Sequence, residues 1–224
     1  MIKLINLEGN DGAGKSLQIK LITQHFQNQN KKVKHIHFPM YGHNMYSEMI
    51  SKFLRGEYGS NDEVDPIFVA NIYAMDRYMY KNQLIKDLEE NDIVVMDRYV
   101  FSNVAYQAAK TKTEYDKEHM FEILEFEFGF LDLPYPDVTL FFNVQIEEIE
   151  RRLNIERSGD DRNYLNGKQD IHEKDISYQS KVRDIYLEMK EDRGITNFFV
   201  IDTYNKDGVL SPEDLFNSYI NILE

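Results

Sequence analysis

A short glycine-rich run near the N-terminus carries a lysine and a serine at a fixed spacing. It reads Glu8-Gly9-Asn10-Asp11-Gly12-Ala13-Gly14-Lys15-Ser16 and contains the pattern G-x-x-x-x-G-K-S. Glycine lets the backbone turn where a Cβ would clash. Backbone N–H groups can then point inward and cradle phosphate oxygens, helped by the positive end of the following helix. In such a P-loop, Lys15 is predicted to reach the β- and γ-phosphates of a nucleotide, and the Ser16 hydroxyl to bind Mg²⁺.

A second pair of charged residues, Asp97 and Arg98, follows the apolar residues 93–96. Four apolar residues that end on an aspartate are typical of a buried strand, and the arrangement resembles a Walker B motif. Ligands of open parallel sheets bind outside the carboxyl ends of the strands. Asp97 can therefore serve Mg²⁺ directly or through water, and Arg98 can clamp a phosphate from two sides. A structural ion pair at the strand end is the alternative for both residues.

Apolar periodicity predicts the elements that position these residues. Short apolar or alternating runs predict strands at 3–7, 32–38, 93–97, 138–142 and 198–201. Helical spacing predicts helices from the glycine loop to about residue 28 and at 44–54, 66–90, 102–110, 116–128, 146–155, 171–192 and 212–223. Segment 116–128 is ambiguous because residues 125–128 alternate like a strand, but its length and Gly129 favour a helix.

This order of elements predicts the fold class. Strands that alternate with helices imply a parallel sheet that is covered on both faces. We expect an α/β, P-loop NTPase-type fold with a five-stranded parallel sheet. At 224 residues the chain is predicted to form a single domain over residues 1–224.

Composition and charge limit the partners. The formal net charge of −13 disfavours a nucleic-acid polymer, whereas a few local cations can still bind small phosphorylated ligands. The chain has no cysteine, which excludes disulfides and thiolate metal sites. It shows neither the apolar core of a secretory signal nor the ~18 consecutive apolar residues of a spanning helix. These features predict a cytoplasmic protein that does not associate with membranes.

Four further motifs follow the P-loop in order and make a family resemblance specific. They are Phe38-Pro39-Met40-Tyr41-Gly42, Asp76-Arg77, Asp97-Arg98-Tyr99 and Ser102-Asn103-Val104-Ala105-Tyr106-Gln107. Together with the P-loop they resemble bacterial thymidylate kinases, over most of the chain up to about Tyr186. The resemblance implies transfer of the γ-phosphoryl group of Mg·ATP to the 5′-phosphate of dTMP. It also implies a homodimer that forms through helices.

The resemblance implies roles for individual residues of the acceptor site. Asp11 would hold the sugar 3′-hydroxyl, Arg98 would grip the acceptor phosphate, and Tyr106 would crowd the 2′ position. Phe38 and Tyr73 would flank the thymine ring, and Arg77 and Asn103 would bond its polar edge. The implied dTMP-binding set is Asp11, Phe38, Tyr41, Tyr73, Arg77, Arg98, Ser102, Asn103, Tyr106 and Gln107. Core packing for the two flanking aromatics, a helix cap for Asn103 and a surface ion pair for Arg77 are the alternatives.

The resemblance also implies a donor site with a mobile lid at about residues 156–169. The ATP-binding set is Gly9, Asn10, Asp11, Gly12, Ala13, Gly14, Lys15, Ser16 and Leu17, and the metal set is Ser16, Asp97 and Glu173. The catalytic set is Lys15, Arg98, Asp11, Arg157 and Arg162. Arg157, Arg162 and Lys168 are the lid cations expected to close over ATP. The pairs Glu147–Arg151 and Glu148–Arg152 are expected to be a solvated helix face.

Two residues depart from the family pattern. Ser16-Leu17 stands where the family often has Thr-Thr, which keeps the metal-binding hydroxyl. Met40 stands where the family often has arginine, so any phosphate contact of that arginine must come from elsewhere or be missing. No general base is expected, because a phosphate monoester is already largely a dianion at neutral pH.

Three other functions are compatible with a P-loop. A deoxynucleoside kinase would need a base for its neutral acceptor hydroxyl, and residues 38–42 and 102–107 argue against it. A GTPase switch would need N-K-x-D, and Asn205-Lys206-Asp207-Gly208 is one residue short. A silent binding module would be expected to have lost Lys15 or Arg98, and both are present.

Overall fold

The computed structural model describes residues 2–153, 164–167, 170–173, 175–191 and 195–224. The five strands of the main sheet are β1 Leu4–Glu8, β2 Val33–His37, β3 Ile93–Asp97, β4 Val138–Asn143 and β5 Phe198–Asp202. The helices are α1 Lys15–Asn28, α2 Met45–Leu54, α3 Pro66–Glu90, α4 Val100–Ala108, α5 Glu114–Leu124, α6 Ile146–Leu153, α7 Ile176–Glu191 and α8 Pro212–Tyr219.

The main sheet is parallel throughout, in the strand order β2-β3-β1-β4-β5. Every residue of β1, β3 and β4 is buried. The predicted positions of all five strands are confirmed, because their apolar runs are what a sheet buried on both faces requires. The carboxyl ends of β1, β2 and β3 lie side by side, since Leu7 pairs with Asp97 and His37 also pairs with Asp97.

Helices cover both faces of this sheet, as expected. Alternate residues of a strand point to opposite faces. Leu4 accordingly joins the core cluster that contains residues of α3, α4 and α7, whereas Ile5 and Leu7 join the cluster that contains residues of α1, α6 and α8. The α/β fold class with a five-stranded parallel sheet is confirmed.

The structure differs from the prediction at three places. The predicted helix at 116–128 is α5 followed by a π-helical segment, Glu125–Phe130, whose wider turn brings Glu127 into the interior. The predicted start of α7 at residue 171 is wrong, because Asp175 accepts a hydrogen bond from the N–H of Ser177 at 2.8 Å and caps a helix that begins at Ile176. A small antiparallel hairpin pairs Tyr204–Asn205 with Gly208–Val209 and was not predicted.

Asp76 of α3 fixes the loop that leaves β2. Its carboxylate accepts hydrogen bonds from the N–H of Met40 at 2.8 Å and from the side chain of Asn44 at 2.7 Å. Asn44 caps α2 in turn by accepting from the N–H groups of Tyr46 and Ser47. One buried carboxylate thus places the residues after β2 at the carboxyl edge of the sheet.

The long helix α3 leaves several large apolar side chains in solvent. We call this set the α3 outer face: Ile67, Phe68, Tyr78, Met79 and Ile85, which are 38–59% exposed. Within the described part of the chain, no helix combines the length and apolar character needed to cross a membrane.

Candidate active site

A cavity of about 1000 Å³ opens at the carboxyl edge of the sheet. It lies where strand-end ligand sites are expected in a parallel α/β sheet. Most of the residues singled out from the sequence line it: Asp11, Gly12, Ala13, Gly14, Lys15, Ser16, Tyr41, Tyr73, Asp97, Arg98, Ser102, Asn103, Tyr106, Gln107 and Glu173. Residues between Asp11 and Glu173, far apart in sequence, thus meet in one space.

Other expected site residues lie elsewhere. Phe38 is buried in the core, with its ring 5.9 Å from those of Tyr80 and Tyr99, and Arg77 is buried beside Glu127. Leu17 is 45% exposed. The predicted lid cations Arg157, Arg162 and Lys168, and most of the lid segment 156–169, lie outside the described residues.

The glycine loop has the backbone that its sequence requires. Gly12 and Gly14 have φ of 80° and 88°, which side-chain-bearing residues rarely adopt. A Cβ on Gly9 would sit 3.0 Å from the Cβ of Ala13 and 3.2 Å from a backbone carbonyl, so its neighbours would have to shift to make room. Asn10 is buried and donates to the carbonyl and the side-chain oxygen of Gln179, both at 2.8 Å. The loop is therefore tied to α7.

Lys15 folds back across the glycine loop. Its ammonium donates to the carbonyls of Gly9 at 3.2 Å and Asn10 at 3.3 Å. Burial, and then the neighbouring Arg98, lower the pKa of the Lys15 amine to about 8. The negative charge of an incoming phosphate would offset the repulsion between Lys15 and Arg98 and so favour the charged form of the Lys15 amine.

Arg98 is the centre of a polar network at the end of β3. Its guanidinium donates to Asp11 at 2.7 Å, and to the hydroxyls of Tyr106 at 3.2 Å and Ser102 at 3.3 Å. Burial opposes its charge, but Tyr106 and Asp11 raise its pKa well above the ordinary value. Burial would likewise raise the pKa of Asp11, yet Arg98 and Lys15 hold it below its usual range. Both groups are therefore charged at neutral pH.

Arg98 also has a backbone that few residues other than glycine adopt. Its φ is 65°, and its N–H donates to the carbonyl of Leu7 at 3.0 Å. A left-handed conformation of this kind costs on the order of 1–3 kcal/mol and persists only where neighbours enforce it. The conformation aims the guanidinium from β3 into the cavity beside the P-loop.

Glu8, the last residue of β1, is the group that enforces this arrangement. It is fully buried and accepts hydrogen bonds from the N–H of Tyr99 at 3.0 Å, the N–H and hydroxyl of Ser102, and the hydroxyl of Tyr186 at 2.8 Å. A carboxylate at the start of α4 also complements the positive end of that helix. This role of Glu8 was not predicted from the sequence, although an acidic residue at the end of an apolar strand was a usable signal.

Asp97 has one oxygen that no described residue satisfies. His37 lies 3.3 Å from its Oδ2, whereas its Oδ1 is buried without a partner among the described residues. Burial raises the pKa of Asp97, but His37 and Lys15 outweigh it and keep the carboxyl ionised. Ser16 lines the same cavity as Asp97. A hydroxyl and a carboxylate oxygen are ligands that Mg²⁺ accepts when phosphates supply its remaining ligands.

A stacked tyrosine pair closes one side of the cavity. The rings of Tyr41 and Tyr164 lie 4.1 Å apart and are nearly parallel. The Tyr164 hydroxyl donates to Asp170 at 2.8 Å, and its carbonyl accepts from Arg55 at 2.8 Å. Burial and then the charge of Asp11 raise the pKa of Asp170 to about 7. Tyr164 was not singled out because its partners Tyr41 and Arg55 are distant in sequence.

Arg152 corrects one expectation. Its guanidinium donates to Glu148 at 2.5 Å, as predicted, but also to the carbonyl of Gly12 in the P-loop at 2.8 Å. It lines the cavity, whereas the neighbouring Arg151 is 63% exposed and bonds only Glu148 among the described residues. The solvated-face interpretation is therefore wrong for Arg152, because the last turn of α6 lies close to the P-loop.

Comparison with known proteins is consistent with this geometry. The sequence model of the family described as thymidylate kinase matches residues 7–211. A thymidylate kinase of Mycobacterium tuberculosis is 30% identical over 188 residues, which are 83% of this chain and 85% of that protein. A probable thymidylate kinase of Methanocaldococcus jannaschii is 29% identical over 220 residues, 98% and 95% of the two chains.

A solved structure shows the same fold. The thymidylate kinase of Candida albicans superposes with a TM-score of 0.71 at 20% identity, over 99% of this chain and 91% of that one. The P-loop, the Asp-Arg strand end and the aromatic cavity lie in one place, and the family model matches residues 7–211. These findings establish that the chain belongs to the thymidylate kinase family of ATP-dependent phosphotransferases.

Proposed function

We propose that this chain transfers the γ-phosphoryl group of Mg·ATP to the 5′-phosphate of dTMP, giving ADP and dTDP. The observation that carries the proposal is the placement of Arg98. Its guanidinium lies in the same cavity as the P-loop lysine and is held by Asp11, a residue of the P-loop itself. A planar cation there can bind an acceptor phosphate beside the donor phosphates.

The donor phosphates bind the P-loop. The backbone N–H groups of the loop and the start of α1 cradle them, and Lys15 turns from the carbonyls of Gly9 and Asn10 toward the transferred group. Arg152 reaches the loop from α6 and adds a second cation on the donor side. Arg157 and Arg162 are proposed as further donor-side cations.

Mg²⁺ fits the oxygens of Ser16 and Asp97, with Glu173 at the cavity wall as a third candidate. Held by these residues, Mg²⁺ would supply positive charge that offsets the negative charge of the transferring phosphoryl group. The protein residues position and neutralise the reactants. They need not remove a proton, because the acceptor is already ionised.

The acceptor nucleoside fills the rest of the cavity. We propose that Asp11 accepts a hydrogen bond from the sugar 3′-hydroxyl and that Tyr106 limits space at the 2′ position. A hydrogen bond of 3.1 Å from the Tyr106 hydroxyl to Asp11 keeps the two side chains next to each other, as these roles require. Tyr73 offers an aromatic face to the base and Asn103 a polar edge. Phe38 supports this wall from the core, and Arg77 lies behind Asn103, bonded to the same carboxylate.

The proposed function is tested by ADP release from Mg·ATP with different acceptors. We expect fast release with dTMP, slower release with dUMP, and background rates with dCMP, dGMP, thymidine or no acceptor. Preference for thymidine would favour a deoxynucleoside kinase, because the acceptor would then be a hydroxyl. Equal release without any acceptor would indicate an ATPase or switch and would refute the proposal.

Arg98 and Lys15 are expected to be essential. Arg98→Ala and Lys15→Ala should each lower kcat on the order of 10²–10³-fold, the loss typical of removing one transition-state charge contact. Arg98→Lys should recover only part of the rate, because an ammonium cannot form the two-sided contact. Rates are compared after thermal melts show that each variant is folded. A wild-type rate in folded Arg98→Ala would remove the clamp role.

Adjacent arginines on α6 give a matched test of the donor side. Arg152→Met should lower kcat/KM for ATP by about ten- to hundredfold, which corresponds to the ~1.5–3 kcal/mol of a hydrogen bond to a charged group. Arg151→Met removes the same charge and the same bond to Glu148, but Arg151 makes no contact with the P-loop among the described residues. This substitution should therefore change kcat/KM for ATP by no more than about twofold. Equal effects of both substitutions would show that only bulk charge matters.

We further propose that two copies of the chain associate through the α3 outer face. The large apolar side chains of this face lie in a row along one 25-residue helix. Monomeric proteins rarely expose large contiguous apolar patches, and such patches mark interaction surfaces. Met79→Glu, at a site 59% exposed, should convert a dimer to a monomer in light scattering, whereas Met45→Glu, at a site 68% exposed on α2, should not. A wild-type monomer at micromolar concentration would contradict the proposal.

We also propose that residues 1–224 form a single domain, with a lid at about 156–169 that closes over ATP. The enzyme acts in the cytoplasm, where its nucleotide substrates are made and where a chain without cysteine needs no oxidising compartment.

A further inference from the structure

A small third core cluster lies between α2, the first half of α3 and residues 164–171. Its buried members are Ile50, Phe53, Leu54, Val64, Val69, Ile72 and Ile171. The partly buried side chains packed against it include Tyr41 and Tyr73, which belong to the proposed acceptor site, and Tyr164. Tyr164 falls within the segment 156–169 that is proposed to cover ATP. Its packing groups it instead with residues of the acceptor site.

Three contacts fix Tyr164 on this side of the cavity. Its ring stacks on that of Tyr41, with the centroids 4.1 Å apart and an interplanar angle of 3°. Its hydroxyl donates to Asp170 Oδ2 at 2.8 Å. Its backbone carbonyl accepts from Arg55 Nη1 at 2.8 Å. The contacts restrain the ring, the hydroxyl and the main chain of one residue, so the position of Tyr164 is closely defined.

Arg55 connects Tyr164 to α2. It follows this helix directly, and its side chain is 6% exposed. Its Nε donates to Glu57 at 2.7 Å and its Nη2 to Glu48 at 3.3 Å. A guanidinium bonded in this way has a defined orientation, because its donors form a rigid, planar group. The two carboxylates therefore hold Nη1 at the Tyr164 carbonyl.

The ring of Tyr41 depends on this support. Tyr41 lies on the loop that leaves β2, where Asp76 fixes the backbone through the N–H of Met40. That bond does not restrain the Tyr41 side chain. Among the described rings, His37 lies 6.1 Å from Tyr41 and Tyr164 lies 4.1 Å from it. The close, parallel contact with Tyr164 is therefore the one that can hold the Tyr41 ring against the cavity wall.

We propose that Tyr164 and Arg55 are positioning residues of the acceptor site: Arg55 holds Tyr164, and Tyr164 holds the ring of Tyr41, so that the contacts favour binding of dTMP and not of ATP. Both residues act through Tyr41. The inference rests on the proposed function, since it concerns the acceptor of that reaction. It restricts the part of the lid segment that can cover ATP to the residues before Tyr164.

Calorimetry with one nucleotide at a time separates this role from a role on the donor side. Tyr164→Leu removes the stacked ring, and its dissociation constant for dTMP should rise about two- to tenfold, which corresponds to the loss of one aromatic pair. Its dissociation constant for ADP should not change. A rise for ADP alone, or equal rises for both nucleotides, would overturn the proposal.

Tyr164→Phe is the conservative counterpart of this variant. It keeps the ring and the backbone carbonyl and loses only the hydrogen bond to Asp170. We expect it to bind dTMP with the affinity of the wild type. A loss as large as that of Tyr164→Leu would show that the hydroxyl, and not the stacked ring, is responsible, and would contradict the proposal.

A double-mutant cycle tests whether Tyr164 acts through Tyr41. Tyr41→Leu should weaken dTMP binding by itself. If Tyr164 acts by holding the Tyr41 ring, adding Tyr164→Leu to Tyr41→Leu should cause no further loss. Thermal melts show whether the single and double variants are folded. Losses that add in folded proteins would mean that the two residues act independently and would overturn the positioning role.

Arg55→Met tests the support from α2. It should weaken dTMP binding in the wild-type background but not in Tyr164→Leu, where the ring that Arg55 helps to place is gone. Lys52→Met removes a positive charge from α2 three residues earlier and should leave dTMP binding unchanged. Unchanged dTMP binding in a folded Arg55→Met protein would contradict the role of Arg55.

The wild-type protein separates failure of this proposal from failure of the proposed function. A wild type that neither binds nor phosphorylates dTMP would refute the proposed function. A wild type that phosphorylates dTMP, together with a dTMP affinity that Tyr164→Leu leaves unchanged, would overturn only the roles of Tyr164 and Arg55.

Discussion

The buried carboxylate of Glu8 is the contact on which the arrangement of the active site depends. It accepts hydrogen bonds from backbone N–H groups and hydroxyls at the end of β3, in the first turn of α4 and in α7. A fully buried carboxylate is tolerated only when donors surround it. The surrounding elements are therefore fixed relative to β1, and the left-handed backbone of Arg98 follows. Because Arg98 then bonds Asp11, the strand end and the glycine loop act as one rigid unit.

The electrostatics of the cavity contrast with those of the whole chain. The protein carries a formal net charge of −13, yet Lys15, Arg98 and Arg152 all line the cavity. In the described structure their charges are balanced by carboxylates and carbonyls, which is why the partly buried Asp11 and the buried Asp97 stay ionised. Substrate phosphates would replace these internal partners. Binding therefore exchanges one set of buried charge contacts for another, and the cations are already desolvated and oriented before a ligand arrives.

The sequence predicted what depends on local pattern. The five strands, the P-loop and the Asp97-Arg98 strand end were predicted because apolar runs, glycines and strand-end acids are readable within a few residues. Glu127 and Arg152 were not recognised, because each acts through a partner at least 24 residues away. Phe38 shows the opposite error of a prediction from local sequence, because it was expected to flank the base but its ring is buried in the core. Its neighbours in sequence resemble a substrate loop, but whether its ring meets a base or the core is decided by Tyr80 and Tyr99, which only the fold brings next to it.

The hydrogen bond between Asn10 and Gln179 has a consequence for the order in which parts of the protein fold during synthesis. The P-loop is made among the first residues of the chain, but its buried asparagine is satisfied only by a residue 169 positions later. Closing so long a loop costs conformational entropy, which contacts between distant parts must offset. A nascent chain that has emerged only through β3 thus carries the entire P-loop sequence without its support. The ability to hold nucleotide phosphates is accordingly one of the last properties that the chain acquires during synthesis.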